Sequence, residues 1–79
     1  MCSVHPVVGL TLRQREEAAV VRAMVEGAGR VASLATATKL GSAGPYAVAG
    51  PDRIDTLVTD AGDDEVAIYR EHGIEVVRA

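Results

Sequence analysis

Seven of the eight cationic side chains are arginine, and the single lysine, Lys39, stands one residue after Thr38 and three after Thr36. An ammonium beside two hydroxyls is a composition that binds phosphate or carboxylate, the lysine as a point charge and the threonines as hydrogen-bond donors. The same residues also suit an ordinary solvated loop. Asp60 follows an apolar run and precedes Ala61 and Gly62, so its carboxylate can orient a ligand hydroxyl, act as a base, or cap a turn. Glu17 falls early in a helical pattern, where an acid is either a general base or a surface residue favoured by the positive end of the helix dipole. His5 precedes Pro6 and reads as a structural hydrogen-bonding group or a catalytic one. Thr11, followed by Gln14, has capping-box spacing. His72 suits the last turn of a helix, and Cys2 has no activating partner in the sequence.

What is missing narrows the chemistry. No Gly-rich phosphate loop, no Walker-type lysine and no His-Glu-x-x-His pattern occurs, and the metal-ligating residue types are scattered. The sequence therefore predicts neither a metal site nor a cofactor. A single cysteine allows no internal disulfide and no Cys-based zinc site, which suits a reducing cytoplasm. A net charge of −3 without any basic run excludes a self-sufficient nucleic-acid binder. No apolar window approaches the length of a membrane span, and no signal-peptide pattern opens the chain.

These residues must be positioned by a small scaffold. Seventy-nine residues support one modest core, and its apolar content is mostly alanine and valine, with Tyr46 and Tyr69 the only aromatics. Small side chains close a core best where backbone layers approach each other, as in α/β folds. Residues 2–5 read as a strand stopped by Pro6, with a loop over 7–9. Apolar residues at 18, 21, 25 and 28 predict a helix from the Thr11 cap to residue 28, with Gly29 as its left-handed terminator. Residues 31–35 form an apolar strand, and 36–55 are irregular, with a short strand around 46–48 as one option. A strand at 56–59, a helix from an Asp63 cap to His72, a stop at Gly73 and a strand at 74–77 complete the chain.

Strand–helix–strand units at 2–35 and 56–77 together predict a partial parallel sheet of about four strands with two main helices. Ligands in such sheets lie beyond the carboxyl ends of the strands. Segments 5–11, 36–41 and 60–62 would meet there.

The wording of the segments goes further. GLTLRQREEAAVVRAM, VASLATATKLG and DRIDTLVTDAG with YREHGIEVVRA together resemble, in order, the C-terminal half of the effector domain of DeoR-family bacterial transcriptional regulators. The match runs through Gly9–Thr11, Glu17–Met24, Leu34–Gly41, Asp55–Asp60 and Gly73–Val77. The resemblance implies a Rossmann-like fold, half of a ribose-5-phosphate isomerase-like domain, that senses a phosphorylated sugar. It implies that Lys39 lies beside the ligand and that Glu17 holds the position of the isomerases' acid–base carboxylate. Asp60 would close the site, and the loop from His5 to Thr11 would form a further wall. Where the family has aspartate and serine before the lysine, this chain has Thr36 and Thr38.

The resemblance also implies that residues 1–79 are one partial domain without the helix-turn-helix or the main phosphate loop. DNA would then be reached only through a preceding domain, and the exposed sheet edge would favour self-association. The reading is therefore a non-enzymatic sugar-phosphate-sensing portion of a regulator. The alternatives are a sugar-phosphate isomerase-like remnant or a self-associating module.

Overall fold

The computed structural model describes residues 2–79, a mixed α/β arrangement built on two three-stranded sheets. Its C-terminal part follows from pattern. Strand β5 (Thr56–Thr59) alternates half-buried and buried residues, helix α2 (Asp63–Glu71) buries Val66 and Tyr69 one turn apart, and strand β6 (Glu75–Arg78) returns parallel to β5. Strand β3 (Ala32–Leu34) pairs parallel on the other side of β5, giving the order β3-β5-β6.

Both ends of α2 have a local chemical cause. The cap position is Gly62 rather than Asp63, and the Glu65 carboxylate accepts the Gly62 amide at 3.4 Å in place of a cap side chain. Asp63, Asp64 and Glu65 occupy the first turn, where the dipole favours acids. At the other end Gly73 adopts φ +83, with Gly73 N–H on the Arg70 carbonyl and Ile74 N–H on that of Tyr69. This is the paired arrangement that closes a helix on a left-handed glycine.

The N-terminal part corrects the reading of 2–35 as a second parallel unit. Strand β1 (Ser3–His5) pairs antiparallel with β2 (Gly9–Leu12), and β2 pairs antiparallel with β4 (Tyr46–Ala49), forming a separate sheet. The parallel sheet therefore has three strands, not about four. The hairpin turn is made by His5, whose Nδ1 accepts the amides of Val7 and Val8 at 3.0 and 3.1 Å. It closes on Gly9 at φ +94, where a Cβ would stand 2.1 Å from the Ala49 carbonyl oxygen. Only glycine fits there.

Because residues 9–12 are strand, Thr11 does not cap a helix. Helix α1 (Arg15–Gly27) starts later, with Gln14 at its cap position and no side-chain cap bond. It packs on β2 and β4, and the Arg22 guanidinium donates to the Ala47 carbonyl. Its end is also not the one predicted. Ala28 is extended, and Gly29 is not among the glycines at positive φ. The Arg53 guanidinium, arriving from a 3₁₀ turn at Pro51–Arg53, instead donates to the Val25 carbonyl at 2.8 Å. It supplies a cation where the last turn of α1 has none of its own.

The two sheets meet at Val4, which is fully buried. A single parallel bridge joins it to Leu40, and the Gly41 amide donates to its carbonyl at 3.0 Å. The core runs through this junction from Leu10, Leu12 and Val25 to Leu57, Tyr69 and Ile74. Among the described residues no helix is long and apolar enough to cross a membrane.

Candidate functional site

A cleft of about 350 Å³ opens at the carboxyl ends of β3 and β5. Leu34, Ala35 and Thr36 line it from β3 and its continuation, and Val58, Thr59 and Asp60 from β5. Lys39, Cys2 and Ala79 complete it. Each polar residue arrives there for a backbone reason. Ala35 N–H extends the ladder onto the Val58 carbonyl at 3.0 Å, which carries Thr36 past the sheet edge. The chain then makes a 3₁₀ turn at Ala37–Lys39, closed by Lys39 N–H on the Thr36 carbonyl at 2.9 Å, and so turns Lys39 back over the strand ends.

Asp60 holds this turn in place. Its Oδ1 accepts the Ala37 amide at 2.8 Å. At the opposite end of β5, Asp55 does the same for the start of β3, its Oδ2 accepting the Val31 amide at 2.7 Å. Two carboxylates flanking one strand thus staple the neighbouring segment at both ends, each through a charge-assisted bond. Thr36 and Thr38 share a hydroxyl–hydroxyl bond of 3.0 Å. Lys39 is half-buried and forms no salt bridge among the described residues. It shares the cleft with the apolar Leu34, Ala35 and Val58 and with Thr36, Thr59 and Asp60.

Thr36, Lys39 and Asp60 are thus brought to one cleft, and Thr38 is tied to it through Thr36. The other sequence candidates lie elsewhere. Glu17 is exposed in the first turn of α1, on the antiparallel half of the fold, and does not line the cleft. His5 spends Nδ1 on the hairpin turn. Thr11 is fully buried in β2, where its hydroxyl donates to the Ser3 carbonyl at 3.4 Å and accepts the Gly44 amide at 2.7 Å. That hydroxyl holds the sheet against the 41–45 segment and has no path to a ligand.

Sequence reasoning missed Tyr69. Its hydroxyl, buried under the site loop, accepts the Gly41 amide at 2.9 Å and donates to the Val4 carbonyl at 2.7 Å. Burial pushes the phenol above its ordinary pKa, and the Gly41 amide opposes that shift. The available signal was weak: Tyr69 stands three residues after Val66 on the apolar side of α2. Cys2, read as inert near the terminus, is half-buried and lines the cleft. Among the described residues no three His, Cys, Asp or Glu side chains group as metal ligands. The chain matches no protein-family model, no curated protein and no solved structure.

Proposed function

We propose that the chain binds a small phosphorylated sugar, as the sensing portion of a DeoR-type transcriptional regulator. The observation that carries the reading is Lys39: a half-buried lysine, in no salt bridge among the described residues, lining a concave site at the carboxyl ends of parallel strands. Such edges are where open parallel sheets bind ligands, and a volume near 350 Å³ suits a small molecule. Lys39 takes the phosphate. The Thr36 and Thr38 hydroxyls share it, and Asp60, with Oδ1 on the Ala37 amide, accepts a sugar hydroxyl through Oδ2.

The chemistry is binding rather than turnover. An isomerase needs a base within reach of the carbon acid, and Glu17, the residue in the corresponding sequence position, does not line the cleft. DNA recognition belongs to the helix-turn-helix of such regulators. The −3 net charge of these residues gives them no part in it.

The test is an NMR titration with ribose 5-phosphate, with unphosphorylated ribose as control. Backbone shifts are expected at Thr36–Gly41 and Asp60, and Lys39→Gln should weaken binding by about tenfold or more, as loss of a hydrogen bond to a charged group does. Equal affinity for ribose and its phosphate, or an unaffected Lys39→Gln variant, refutes the assignment.

A further inference from the structure

The floor of the cleft is the open face of the parallel sheet. Burial alternates along both of its strands: Ser33, Ala35, Leu57 and Thr59 are buried, whereas Leu34, Thr36, Val58 and Asp60 are exposed or half-buried. All four of the second set line the cleft. Successive side chains point to opposite faces, and Leu34 pairs in register with Val58. These two therefore form one apolar pair, and Thr36 and Asp60 stand two residues on, about 7 Å nearer the strand ends.

The two rows differ in what they offer a ligand. At the rim, Lys39 is in no salt bridge among the described residues, and Asp60 gives only Oδ1 to the Ala37 amide. The Thr36 hydroxyl bonds to that of Thr38. On the floor, Leu34 and Val58 carry no polar side-chain atom. The adjacent Thr59 hydroxyl is buried on the other face and accepts the Ala61 amide at 3.2 Å. Cys2 and Ala79 complete the lining with a thiol and a methyl group.

We infer that this floor selects among phosphorylated compounds: the one the cleft takes lays a face of C–H groups over Leu34 and Val58, and Val58 is a specificity-determining residue. The inference rests on the sugar-phosphate reading above. With the phosphate on Lys39 and one hydroxyl on Asp60, the remaining carbons of the ligand lie over the apolar pair. A hydroxyl pressed onto that pair gives up water and meets no side-chain partner, which costs affinity. An apolar surface rejects an added hydroxyl by up to about a hundredfold.

Calorimetric titration of the full chain with two four-carbon monophosphates that differ only in hydroxyls tests it. 3-Hydroxybutyl phosphate, with one hydroxyl, is expected to bind about tenfold more tightly than erythritol 4-phosphate, with three. Lys39→Gln should weaken both alike. Val58→Thr keeps the branched shape of the strand residue and puts a hydroxyl in the floor, so it should bring the two affinities together. Leu34→Gln, at a position 76% exposed, should do the same without threatening the fold. Binding of neither compound, or binding indifferent to Lys39→Gln, refutes the sugar-phosphate reading and this inference with it. Erythritol 4-phosphate binding as tightly as its partner or more so, with Lys39→Gln still weakening both, overturns the inference alone. So does a preference that neither Val58→Thr nor Leu34→Gln moves.

Discussion

Tyr69→Phe removes one oxygen from the point where β1, the loop after Lys39 and α2 meet. The phenol is buried and makes two bonds, accepting from Gly41 N–H at 2.9 Å and donating to the Val4 carbonyl at 2.7 Å. A buried group left without a partner would cost about 1–3 kcal/mol. Here neither partner is orphaned, because Gly41 N–H also reaches the Val4 carbonyl directly at 3.0 Å. The loss should therefore be near the ordinary net value of a hydrogen bond, about 1 kcal/mol. Against a total of about 4–12 kcal/mol for a chain of this length, that lowers Tm by roughly 4–8 °C.

Urea unfolding followed by circular dichroism should show a lower midpoint with an unchanged slope. The pH dependence gives a second readout. Burial raises the Tyr69 pKa, so the native state favours the neutral phenol. The stability tied to that neutral form is complete below about pH 10 and is lost as pH rises through the folded-state value. In Tyr69→Phe this contribution to the alkaline loss should be absent. A change below about 0.3 kcal/mol would mean that the hydroxyl is not engaged. A loss above about 3 kcal/mol would mean that Gly41 or Val4 is left unpaired, and either result refutes the three-way junction.

Two further substitutions probe the hairpin and the site loop. Gly9→Ala puts a methyl group 2.1 Å from the Ala49 carbonyl oxygen at φ +94, and should cost about 2–3 kcal/mol or more in thermal unfolding; a neutral change would mean that β1 and β2 do not pair in this way. Asp60→Ala removes the acceptor for Ala37 N–H and should cost about 1 kcal/mol, whereas Asp60→Asn keeps an amide oxygen there and should recover most of it. Equal losses in chemical unfolding would contradict the stapling role.

The C-terminal half was legible because its signals are local and agree with one another. Alternation at 56–59, acids before Val66, Gly73 after His72 and a valine pair at 76–77 all specify one parallel unit within about twenty residues. The N-terminal half misled for the opposite reason. Thr11 and Gln14 satisfy the spacing of a helix cap, but Thr11 is consumed by a sheet whose third strand, β4, lies more than thirty residues away. The His5 turn is local, but the steric demand at Gly9 is set by Ala49, and no local pattern carries it. The end of α1 shows the same limit: Gly29 has the right type, yet Arg53 closes the helix from a distant turn. Of the candidate residues, Lys39, Thr36 and Asp60 come to one cleft because they flank strand ends, and Thr38 bonds to Thr36. Sequence reasoning added His5 and Thr11 because the expected parallel unit brought segment 5–11 to the same edge, and Glu17 through its early helix position and the resemblance.

The cleft loop ties these two halves together. Between Thr36 and Gly41 the chain is held by a carboxylate from the end of β5 through Ala37, by the Val4 carbonyl of β1 and by the phenol of α2 through Gly41. Lys39 lies between these fixed points, so its backbone is set by both sheets at once even though its own side chain has no ion-pair partner among the described residues. An anion bound by Lys39 would then meet a lysine on a fixed backbone, which lowers the backbone part of the ordering cost of binding. The coupling is reciprocal: a ligand that binds only the folded loop must stabilise the junction of the two sheets. Any sugar phosphate that perturbs Lys39 should accordingly raise the stability of the wild-type chain, and a variant that loosens the Gly41 anchor, such as Tyr69→Phe, should bind it more weakly without having touched the cleft.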